Sequence, residues 1–319
     1  MPSKSPRRIV LAYDLGGTKV AVGAVDSNGK ILEEMRVPVD LEHGKAGLIR
    51  QLADLGKQVL SRHKGIRAVG VASAGPLDPA TGDLLDPTNF SRGGKPWGKI
   101  ALGRDLGKKL GLPVRLENDA AAAMLAEAWL GAAKGKKNAM ILTLGTGLGT
   151  GIIANGELVR AGRGLHPEAG HITLCYDDET ATCGCGNLGC AEAYLSGGGF
   201  TRRARLLLNE PKVEALEVAT RARKGDKRAL ALFDDYAEHL AVAIQNYATI
   251  YCPELIVLTG SFAAASDLFL KSVPARLEVL LARRRVGVDL LPKIRISKLN
   301  NRAGLLGGAW VGLNSKSAR

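Results

Sequence analysis

Hydrophobic and polar residues follow two different patterns at the start of this chain. Short β-branched runs at 9–14 (IVLAYD) and 20–26 (VAVGAVD) predict strands, with the glycine-rich LGGTK between them. A turn at 27–29 (SNG) leads to a third predicted strand over 30–39. Apolar residues then recur at helical spacing and predict a helix over 46–62. The beginning of the chain therefore predicts three consecutive strands followed by a helix.

The rest of the chain continues the alternation of strands and helices. This alternation predicts mixed, largely parallel sheets covered by helices, which is the α/β class. Strands are predicted at 67–73, 113–117, 139–144 and 151–154, from Glu157, at 254–259 and near 293–297. Helices are predicted between 99 and 113, from Asn118 or Asp119 to about Ala132, over 212–251, after Gly260 and from about Ala303, while 160–199 is expected to be rich in loops.

One arrangement occurs twice in the sequence: strand, glycine-rich turn, strand, Asn-containing turn, strand. Gly16 and Gly145 mark the two glycine-rich turns, and Asn28 and Asn155 occupy the two later turns. A repeat over such a long distance favours two similar α/β halves over a solenoid of short units. Ligands are then expected between the halves, beyond the strand ends.

The length of 319 residues also fits two domains, at about 150 residues per domain. We predict an N-terminal lobe over 1–118 and a larger C-terminal lobe over 119–302. The final helix, 303–319, is expected to pack back on the N-terminal lobe.

Composition narrows the class of protein further. Hydrophobic residues make up 46% and charged residues 24% of the chain, which is typical of a globular protein and disfavours disorder. No apolar run is long enough for a transmembrane helix, and the first residues do not resemble a signal peptide. We therefore expect a cytoplasmic protein with no membrane partner.

The net charge of +13 raises the question of a nucleic-acid partner. Basic runs such as Arg202–Arg203 and Arg283–Arg284–Arg285 are short, and aromatic residues make up only 4% of the chain. Single-stranded nucleic acid is bound by basic grooves with aromatic stacking, and both features are poorly developed. No nucleic-acid partner is expected, since binding of a polyanionic small molecule accounts equally well for the charge.

The glycine-rich turns are candidate phosphate sites. Residues 14–19 (DLGGTK) place two glycines after a strand that ends in a carboxylate, and the donors Thr18 and Lys19 follow. Backbone amides of such a turn can hold phosphate oxygens, although an ordinary hairpin explains this segment alone equally well. The second turn, Gly145–Gly151, also carries a threonine, Thr146, in a matching place. Two such turns favour a polyphosphate held from both sides, and no P-loop motif is present.

A cysteine-rich segment predicts a metal site. Its candidate ligands, with the spacing H-x11-C-x-C-x4-C, are His171, Cys183, Cys185 and Cys190. Three thiolates and one imidazole form a closed tetrahedral zinc set, which leaves no position for water and makes the zinc structural. The formal GxGxxG at 184–189 lies inside this segment rather than between a strand and a helix, so it does not indicate dinucleotide binding. Cys175 and Cys252 fall outside the spacing and are expected to be buried apolar residues.

Acidic residues beside these segments are candidates for contacts with hydroxyl groups. Glu168 and Glu192 flank the cysteine-rich segment; glutamates are usually solvated, but a metal-fixed loop could turn both inward with His171. Carboxylates accept several hydrogen bonds, which suits a sugar or another polyol. The segment 117–119 (END) joins a strand to a helix, where a polar residue either caps the helix or accepts a hydroxyl proton. Beside a phosphate site and a polyol site, the second role is favoured.

Together these segments resemble the ROK family of bacterial sugar kinases and regulators. They span most of the chain in the family's order, and the zinc signature is the most specific of them. The matching segments are DLGGTK (14–19), GP (75–76), END (117–119), LGTGLGTG (144–151), PEAGH (167–171), CGCGNLGCAE (183–192) and LTGSFA (258–263). The resemblance implies an actin-like, hexokinase-type fold, which is a duplicated ribonuclease H-like fold with two α/β lobes and a ligand cleft between them. The zinc-bound loop would span 166–192.

Within the family, the chain looks most like ATP-dependent glucokinases of glycolysis, which implies ATP, Mg²⁺ and structural Zn²⁺ as cofactors. Asp119 would be the catalytic base that takes the proton from the sugar 6-hydroxyl. His171 would bind zinc through one ring nitrogen and present the other to the sugar. Residues implied to bind the sugar are Gly75, Asn89, Asn118, Asp119, Glu168, His171 and Glu192. Residues implied to face the phosphates, Mg²⁺ and adenosine are Asp14, Gly16, Gly17, Thr18, Lys19, Thr146, Gly147, Gly260 and Ser261.

Glucose, giving glucose 6-phosphate, is the expected substrate, and two alternatives stay open. The same carboxylates and imidazole would serve N-acetylmannosamine, N-acetylglucosamine, fructose or allose. A sugar-responsive transcriptional regulator of the family would carry an N-terminal helix-turn-helix segment, for which a first strand at about Ile9 leaves no room. The resemblance also implies a homodimer or a homotetramer.

Overall fold

The structure is a computed structural model that describes residues 7–87, 90–92, 95–162, 164–285 and 287–314. Within these residues, no helix is both long and apolar enough to cross a membrane. The strands are β1 (Ile9–Leu15), β2 (Lys19–Asp26), β3 (Ile31–Pro38), β4 (Val69–Ser73), β5 (Leu77–Asp78), β6 (Asp83–Leu84), β7 (Ser91–Arg92), β8 (Lys95–Pro96), β9 (Val114–Asn118), β10 (Ala139–Leu144), β11 (Leu148–Ala154), β12 (Glu157–Leu158), β13 (Leu255–Thr259) and β14 (Lys293–Ile296). The α-helices are α1 (Gly44–Arg62), α2 (Leu102–Leu110), α3 (Asp119–Leu130), α4 (Ala191–Leu195), α5 (Gly197–Leu208), α6 (Ala215–Arg223), α7 (Lys227–Tyr251), α8 (Ser266–Phe269), α9 (Val273–Leu281) and α10 (Ala303–Leu313).

The described residues form two compact units, each built from more than one stretch of sequence. Unit 1 takes its residues from 1–135, 158–166 and 301–319, and unit 2 from 136–157 and 167–300. The first division therefore falls after residue 135 rather than after residue 118, where the sequence predicts it. Helix α3 belongs to unit 1 because it packs against α10.

Unit 1 is built on a five-stranded sheet in the order β3-β2-β1-β4-β9. The first three strands of the chain pair antiparallel, whereas β1, β4 and β9 run parallel. Leu48, Leu52 and Val59 of α1 contribute to the core of this unit, and α10 packs against β1 and β4. The parallel strands bring their carboxyl ends to one edge of the sheet, where ligands commonly bind in α/β folds.

Unit 2 repeats this strand order as β12-β11-β10-β13-β14. Strands β10 and β11 pair antiparallel, and β10, β13 and β14 run parallel. Helix α7 buries Phe233, Leu240 and Ile244 and packs against α9. The same order in both sheets, with matching directions for β10, β11, β13 and β14, confirms the predicted duplicated α/β fold.

The second glycine-rich turn is shorter than the sequence predicts. Strand β11 begins at Leu148, so the turn consists of Gly145–Gly147 and the following glycines belong to the strand. Glycine weakens strand propensity, but pairing with β10 imposes the extended conformation here.

Two helical segments also differ from the prediction. The segment 160–199, expected to be rich in loops, contains α4 and the start of α5. Its many glycines gave no helical signal, because glycine is a poor helix former. The helix predicted over 212–251 is two helices, α6 and α7. The break occurs where the Asp226 carboxylate caps α7 by accepting from the N–H groups of Arg228 and Ala229.

Candidate functional site

In unit 1, the glycine turn between β1 and β2 is shaped by backbone hydrogen bonds. The Gly16 N–H donates to the Lys19 carbonyl at 3.0 Å, and the Val39 N–H donates to the Thr18 carbonyl at 3.0 Å. Gly16 and Gly17 are partly exposed, and Thr18 and Lys19 are exposed. The turn is therefore accessible to an anionic ligand, as a phosphate-binding turn must be.

Asp14 lies near the carboxyl end of β1, just before this turn. Its side chain meets the start of α10, where a Cβ atom built on Gly304 would lie 2.4 Å from the Asp14 Cγ. Burial raises the pKa of Asp14 to about 6; the charge of Asp119 adds to the rise and Arg36 opposes it. Asp14 and Asp119 both belong to unit 1, and the charge of Asp119 acts on Asp14, which lies directly beside the glycine turn.

Replacing Asp14 with Asn is expected to stabilise the protein at alkaline pH. Because folding raises the pKa of Asp14 from 3.8 to about 6, its ionisation costs stability as the pH rises through this interval. In magnesium-free buffer the substitution should raise the free energy of unfolding by about 1–3 kcal/mol at alkaline pH and by little below the unfolded-state pKa. Denaturant unfolding measured on both sides of the interval tests this.

Asp105→Asn is the matched control for this prediction. Asp105 belongs to the same unit, and the hydrogen bond and charge of Arg104 hold its pKa below the usual value. Its replacement should give no gain at alkaline pH. An equal gain in both variants would contradict the account given for Asp14.

Asn118 and Asp119 stand at the junction of β9 and α3. Asn118 caps the helix, because its Oδ1 accepts from the N–H groups of Ala120 at 2.9 Å and Ala121 at 3.1 Å. Its Nδ2 lies towards Gly75, where an added Cβ atom would be 3.5 Å away. Asp119 is the first residue of α3 and is partly exposed. The capping role uses only the Asn118 Oδ1, so it leaves the Nδ2 for a ligand. The predicted sugar contact Asn89 lies outside the described residues.

Glu117, the third member of this segment, is occupied by protein donors. It is 3% exposed, and both of its carboxylate oxygens are bound by the guanidinium of Arg160, with 2.9 Å between Nη1 and Oε1. The Asn118 N–H also donates to its Oε1 at 2.9 Å. Arg160 thus supports the strand end that carries Asn118. No local pattern in the sequence points to Arg160, because its partner Glu117 lies 43 positions away.

A basic concavity of about 390 Å³ also belongs to unit 1. The register pairs Asp14 with Ala21 and Ala21 with Arg36, so Asp14 and Arg36 lie on the same face of the sheet. Arg36 donates to Glu34 at 2.6 Å and to the Asn301 carbonyl at 2.5 Å. The charged residues lining the concavity are Lys19, Glu34, Arg36 and Arg302. The excess of cations suits an anionic ligand at the neighbouring turn.

In unit 2, the four predicted zinc ligands come together. One ligand atom from each of His171, Cys183, Cys185 and Cys190 lies within 4.8 Å of the others. The His171 Nδ1 is 3.5 Å from the Cys183 Sγ, and the Sγ atoms of Cys185 and Cys190 are 3.7 Å apart. Thiolates and imidazole are the donors that tetrahedral zinc prefers, so the cluster fits this metal. Because Nδ1 faces the Cys183 sulfur, Nε2 is the nitrogen left for another partner.

Gly189 allows the loop that carries the four predicted ligands to close on itself. Its φ is +66°, and a Cβ atom there would lie 1.4 Å from the Cys175 carbonyl oxygen. Only glycine fits such a position. Cys175 and Cys252 are not the buried apolar residues that the sequence predicts. Cys175 is partly exposed and its thiol donates to Asp177 at 3.0 Å, while Cys252 is exposed as the C-cap residue of α7.

Glu192 ties the metal cluster to β11. It lies in the first turn of α4, directly after the last cysteine ligand. Its Oε2 accepts from the Leu148 N–H at 2.9 Å, and its Oε1 accepts from the Cys183 thiol at 3.3 Å. A Cβ atom built on Gly147 would lie 2.7 Å from the same Oε2. The structure therefore places the predicted sugar ligand Glu192 against both the metal cluster and the second glycine turn.

Glu168 precedes a single 3₁₀ turn, Ala169–His171. It is exposed, and its carbonyl accepts from the His171 N–H at 3.0 Å. The side chains of these two predicted sugar ligands therefore belong to one short turn, which the metal cluster anchors through His171.

A cavity of about 670 Å³ adjoins the second glycine turn of unit 2. The predicted residues Thr146 and Ser261 line it, together with the apolar side chains of Leu216 and Phe262. Gly260, at the end of β13, has a φ of +94°, and a Cβ atom there would lie 2.4 Å from the Leu144 carbonyl. Glycine at this position therefore lets β13 turn past β10 into the cavity wall.

The first turn of α5 is also part of this wall, which the sequence did not predict. Gly197 and Gly198 line the cavity, and the Gly197 N–H donates to the Gly145 carbonyl at 2.7 Å. The Ser196 hydroxyl oxygen caps the helix by accepting from the Gly199 N–H at 2.8 Å. A serine before a glycine run was the available signal, because serine is a favoured N-cap residue. The start of this helix presents its positive end to the cavity.

Comparison with known proteins identifies the family. The sequence model of the ROK family matches residues 10–314. The glucokinase of Halalkalibacterium halodurans is 32% identical over 322 residues, covering 95% of this chain and 94% of that protein. The chain belongs to the ROK family. The N-acetyl-D-glucosamine kinase of Citrobacter koseri is also 32% identical, covering 94% of this chain and 98% of the relative.

Solved structures of ROK proteins share the fold. A ROK hexokinase from Thermus thermophilus has a TM-score of 0.82 at 33% identity, covering 96% of this chain and 98% of its own. A ROK family glucokinase from Streptomyces griseus, solved with glucose and AMPPNP, has a TM-score of 0.76 at 29% identity, covering 96% and 99%. This ROK protein accordingly has the actin-like, hexokinase-type fold and is a sugar kinase, a phosphotransferase with a hydroxyl acceptor.

Proposed function

We propose that this ROK protein transfers the γ-phosphoryl group of ATP to the 6-hydroxyl of glucose. The observation that carries the proposal is the strand register of unit 1, which aligns Asp14 with Ala72 and Ala72 with Glu117. Asp14 beside the glycine turn and Asp119 at the start of α3 therefore lie at the same edge of the parallel sheet. A carboxylate base assists phosphoryl transfer to a hydroxyl, and a nearby phosphate-binding turn positions the transferred group. Full-length similarity to glucokinases supports the choice of glucose.

Asp119 would act as the base. Its carboxylate takes the proton of the 6-hydroxyl while that oxygen attacks the γ-phosphorus and the bond between the γ-phosphorus and ADP breaks. The transition state of such a transfer is loose, so positioning and charge stabilisation contribute more than covalent help. The Gly16–Thr18 turn would supply backbone and hydroxyl donors to the phosphate oxygens, and Lys19 a positive charge.

The other sugar hydroxyls would be bound by a mixture of acceptors and donors. The carboxylates of Glu168 and Glu192 accept hydrogen bonds, and the Nδ2 of Asn118 donates one. His171 would offer its Nε2, and Gly75 and Asn89 would complete the set that the family resemblance implies. Glu192 is already held at 2.9 Å by the Leu148 N–H, which fixes its direction before the sugar binds.

Two metal ions are part of the proposal. Zinc would be held by the four clustered ligands and would fix the turn that carries Glu168 and the helix that carries Glu192. Mg²⁺ would bind near Asp14 and supply positive charge to the phosphates. A cation there would also offset the cost of burying the Asp14 carboxylate, whose pKa is raised to about 6.

The cavity of unit 2 would hold the adenosine part of ATP. Its volume of about 670 Å³ lies within the usual range for cofactor sites, roughly 300–1,000 Å³. Leu216, which is 77% exposed, and Phe262 offer apolar surface to a purine ring. Thr146, Gly147, Gly260 and Ser261 would contact the nucleotide, and the AMPPNP complex of the Streptomyces griseus relative supports ATP as the donor.

An N-acetylated amino sugar is the second candidate acceptor. Relatives named glucokinase and N-acetyl-D-glucosamine kinase have the same 32% identity to this chain. Both kinds of sugar share the hydroxyl groups that carboxylates and imidazole bind. The same carboxylates and imidazole would also bind the hydroxyl groups of N-acetylmannosamine, fructose or allose.

The test is ADP formation from Mg·ATP with the purified protein and a panel of hexoses and amino sugars. We expect the highest kcat/KM with glucose, above mannose, fructose, allose and the N-acetylated sugars. If turnover were highest with N-acetylglucosamine, that sugar would take the place of glucose as the proposed substrate. The roles proposed for Asp119 and the metal cluster would stay the same. The absence of turnover with every sugar would overturn the proposed function.

Two further expectations accompany the proposal. The cytoplasm would keep the four metal ligands reduced and supply ATP, so we expect the protein to act there. The homodimer or homotetramer implied by the family resemblance can be checked by sedimentation with and without glucose.

A further inference from the structure

A buried arginine, Arg203, stands in the middle of α5. It is only 9% exposed, and its Nη1 donates to the Asp178 carboxylate at 2.9 Å and to the Thr180 hydroxyl at 2.8 Å. Its Nη2 donates to the Asp235 carboxylate at 3.1 Å, and its guanidinium carbon lies 4.7 Å from the centre of the Tyr194 ring. A buried charge needs such partners, and together they hold the guanidinium in one orientation.

Asp178 connects Arg203 to the loop that carries the metal cluster. The Ala181 N–H donates to the Asp178 carbonyl at 3.0 Å, and the Gly189 N–H donates to the Ala181 carbonyl at 2.8 Å. Burial alone would raise the pKa of Asp178, but hydrogen bonds from Thr180 and other donors, with the charge of Arg203, lower it to about 2. Asp178 is therefore an anion at neutral pH, and it holds the turn against which the cysteine segment is folded.

Tyr194 connects Arg203 to the helix that carries Glu192. Tyr194 and Glu192 both belong to the short helix α4. The Tyr194 hydroxyl donates to the Asp178 carboxylate at 2.8 Å. The Tyr194 ring also stacks on the His239 ring of α7, with 3.9 Å between the ring centres. The guanidinium of Arg203 thus contacts both the loop and the helix that bear predicted sugar ligands.

The same helix α5 also lines the cavity. Gly197, Gly198 and Thr201 face the cavity, and Arg202 lines it while donating to the Thr182 carbonyl of the metal-binding loop at 3.2 Å. One rigid element therefore contacts the proposed nucleotide site and, through Arg203, the supports of the proposed sugar ligands.

We propose that Arg203 is a positioning residue for the sugar and that it couples sugar binding to occupancy of the cavity. This inference rests on the proposed function. Through its contacts with Asp178 and Tyr194, Arg203 holds both the turn at Asp178 and the helix of Glu192 against α5. The predicted sugar ligands depend on these contacts for their orientation. Any effect of the nucleotide on sugar affinity must be matched by an equal effect of the sugar on nucleotide affinity.

The experiment is isothermal titration of glucose and of AMPPNP into the metal-loaded full-length protein. Each ligand is titrated with and without the other, for the wild type, Arg203→Met and Arg203→Lys. We expect Arg203→Met to raise the glucose Kd by about tenfold, with the metal content and the AMPPNP Kd in the absence of glucose unchanged. The wild type should show coupling of about fivefold or more between the ligands, and Arg203→Met should lose it. Arg203→Lys should recover part of both effects, because lysine keeps the charge but not the planar fork.

Arg276→Met is the matched control. Arg276 belongs to α9 of the same unit, and its described polar partners, Asp234 at 2.7 and 2.6 Å and Glu238 at 3.3 Å, both belong to α7. The Arg276→Met variant should have the same glucose Kd and the same coupling between the two ligands as the wild type. If Arg203→Met does not fold, Asp178→Asn tests the same contact, since it removes the charge that faces Arg203 and keeps the size of the side chain.

Two results would overturn the inference. The first is that Arg203→Met or Asp178→Asn has the same glucose Kd and the same coupling factor as the wild type. The second is a parallel loss of metal, AMPPNP affinity and thermal stability, which would indicate a purely structural role. If wild-type protein bound neither the sugar nor AMPPNP, the proposed function itself would fail, and this inference with it.

Discussion

Asp119→Asn is expected to lower kcat by about 10²–10⁴-fold while glucose still binds. Asparagine cannot take up the proton of the 6-hydroxyl, so the base is lost. Its Oδ1 can still accept the 2.8 Å hydrogen bond that the Ala120 N–H makes to Asp119, and the helix cap on Asn118 does not involve the altered group. The local structure should therefore survive. Initial rates of ADP formation give kcat, and calorimetry gives the glucose Kd.

The control for this variant is Asp105→Asn, which removes a carboxylate of the same unit that pairs with Arg104 at 2.8 Å. Its kcat should equal that of the wild type. Turnover of Asp119→Asn close to the wild-type rate would show that Asp119 is not the base. A large loss of glucose affinity with a small change in kcat would assign Asp119 to binding instead.

Cys185→Ser is expected to remove the bound metal and most of the sugar affinity. The Cys185 Sγ lies 3.7 Å from the Cys190 Sγ within the four-ligand cluster, and serine is a poor zinc ligand. Without the metal, the turn of Glu168 would lose its anchor at His171, and the helix of Glu192 would lose one of its supports. Residues that support a site in this way typically change affinity by about 10–100-fold when lost. Elemental analysis gives the metal content, and titration gives the glucose Kd.

Cys252→Ser provides the matched control, because Cys252 is an exposed cysteine at the end of α7, outside the cluster. It should keep both the metal and the glucose affinity. Full glucose affinity in metal-free Cys185→Ser would refute the proposed role of zinc in fixing the sugar ligands. Retention of the metal by Cys185→Ser would refute the assignment of Cys185 as a ligand.

The clustering of the four candidate metal ligands was predictable because their spacing is local. Within 171–190, the glycines and the short gaps between cysteines allow few arrangements other than closure around one ion, and the structure brings the four ligand atoms within 4.8 Å. The two glycine turns were recognisable for a similar reason, since each follows a buried strand. The length of the second turn was not predictable, because pairing of β10 with β11 extends the strand into its glycines.

The helices near the cavity show where local patterns are insufficient. Helix α5 begins with three glycines, which contribute nothing to a hydrophobic period, and tertiary packing together with the Ser196 cap makes it helical. The exposure of Cys252 was likewise hidden, because cysteine is usually buried and only its place at the end of α7 exposes it.

The sequence by itself determined the α/β class, the repeated arrangement of strand, glycine turn and strand, the four candidate metal ligands and the family, because each depends on neighbouring residues or on a repeated order of segments. Only the tertiary structure decided which charged groups meet. It joined Glu117 to Arg160 and Asp178 to Arg203, pairs that lie 43 and 25 positions apart. Such pairs leave no periodic signal in a sequence, since burial between packed elements, rather than local propensity, selects the partner of each charge.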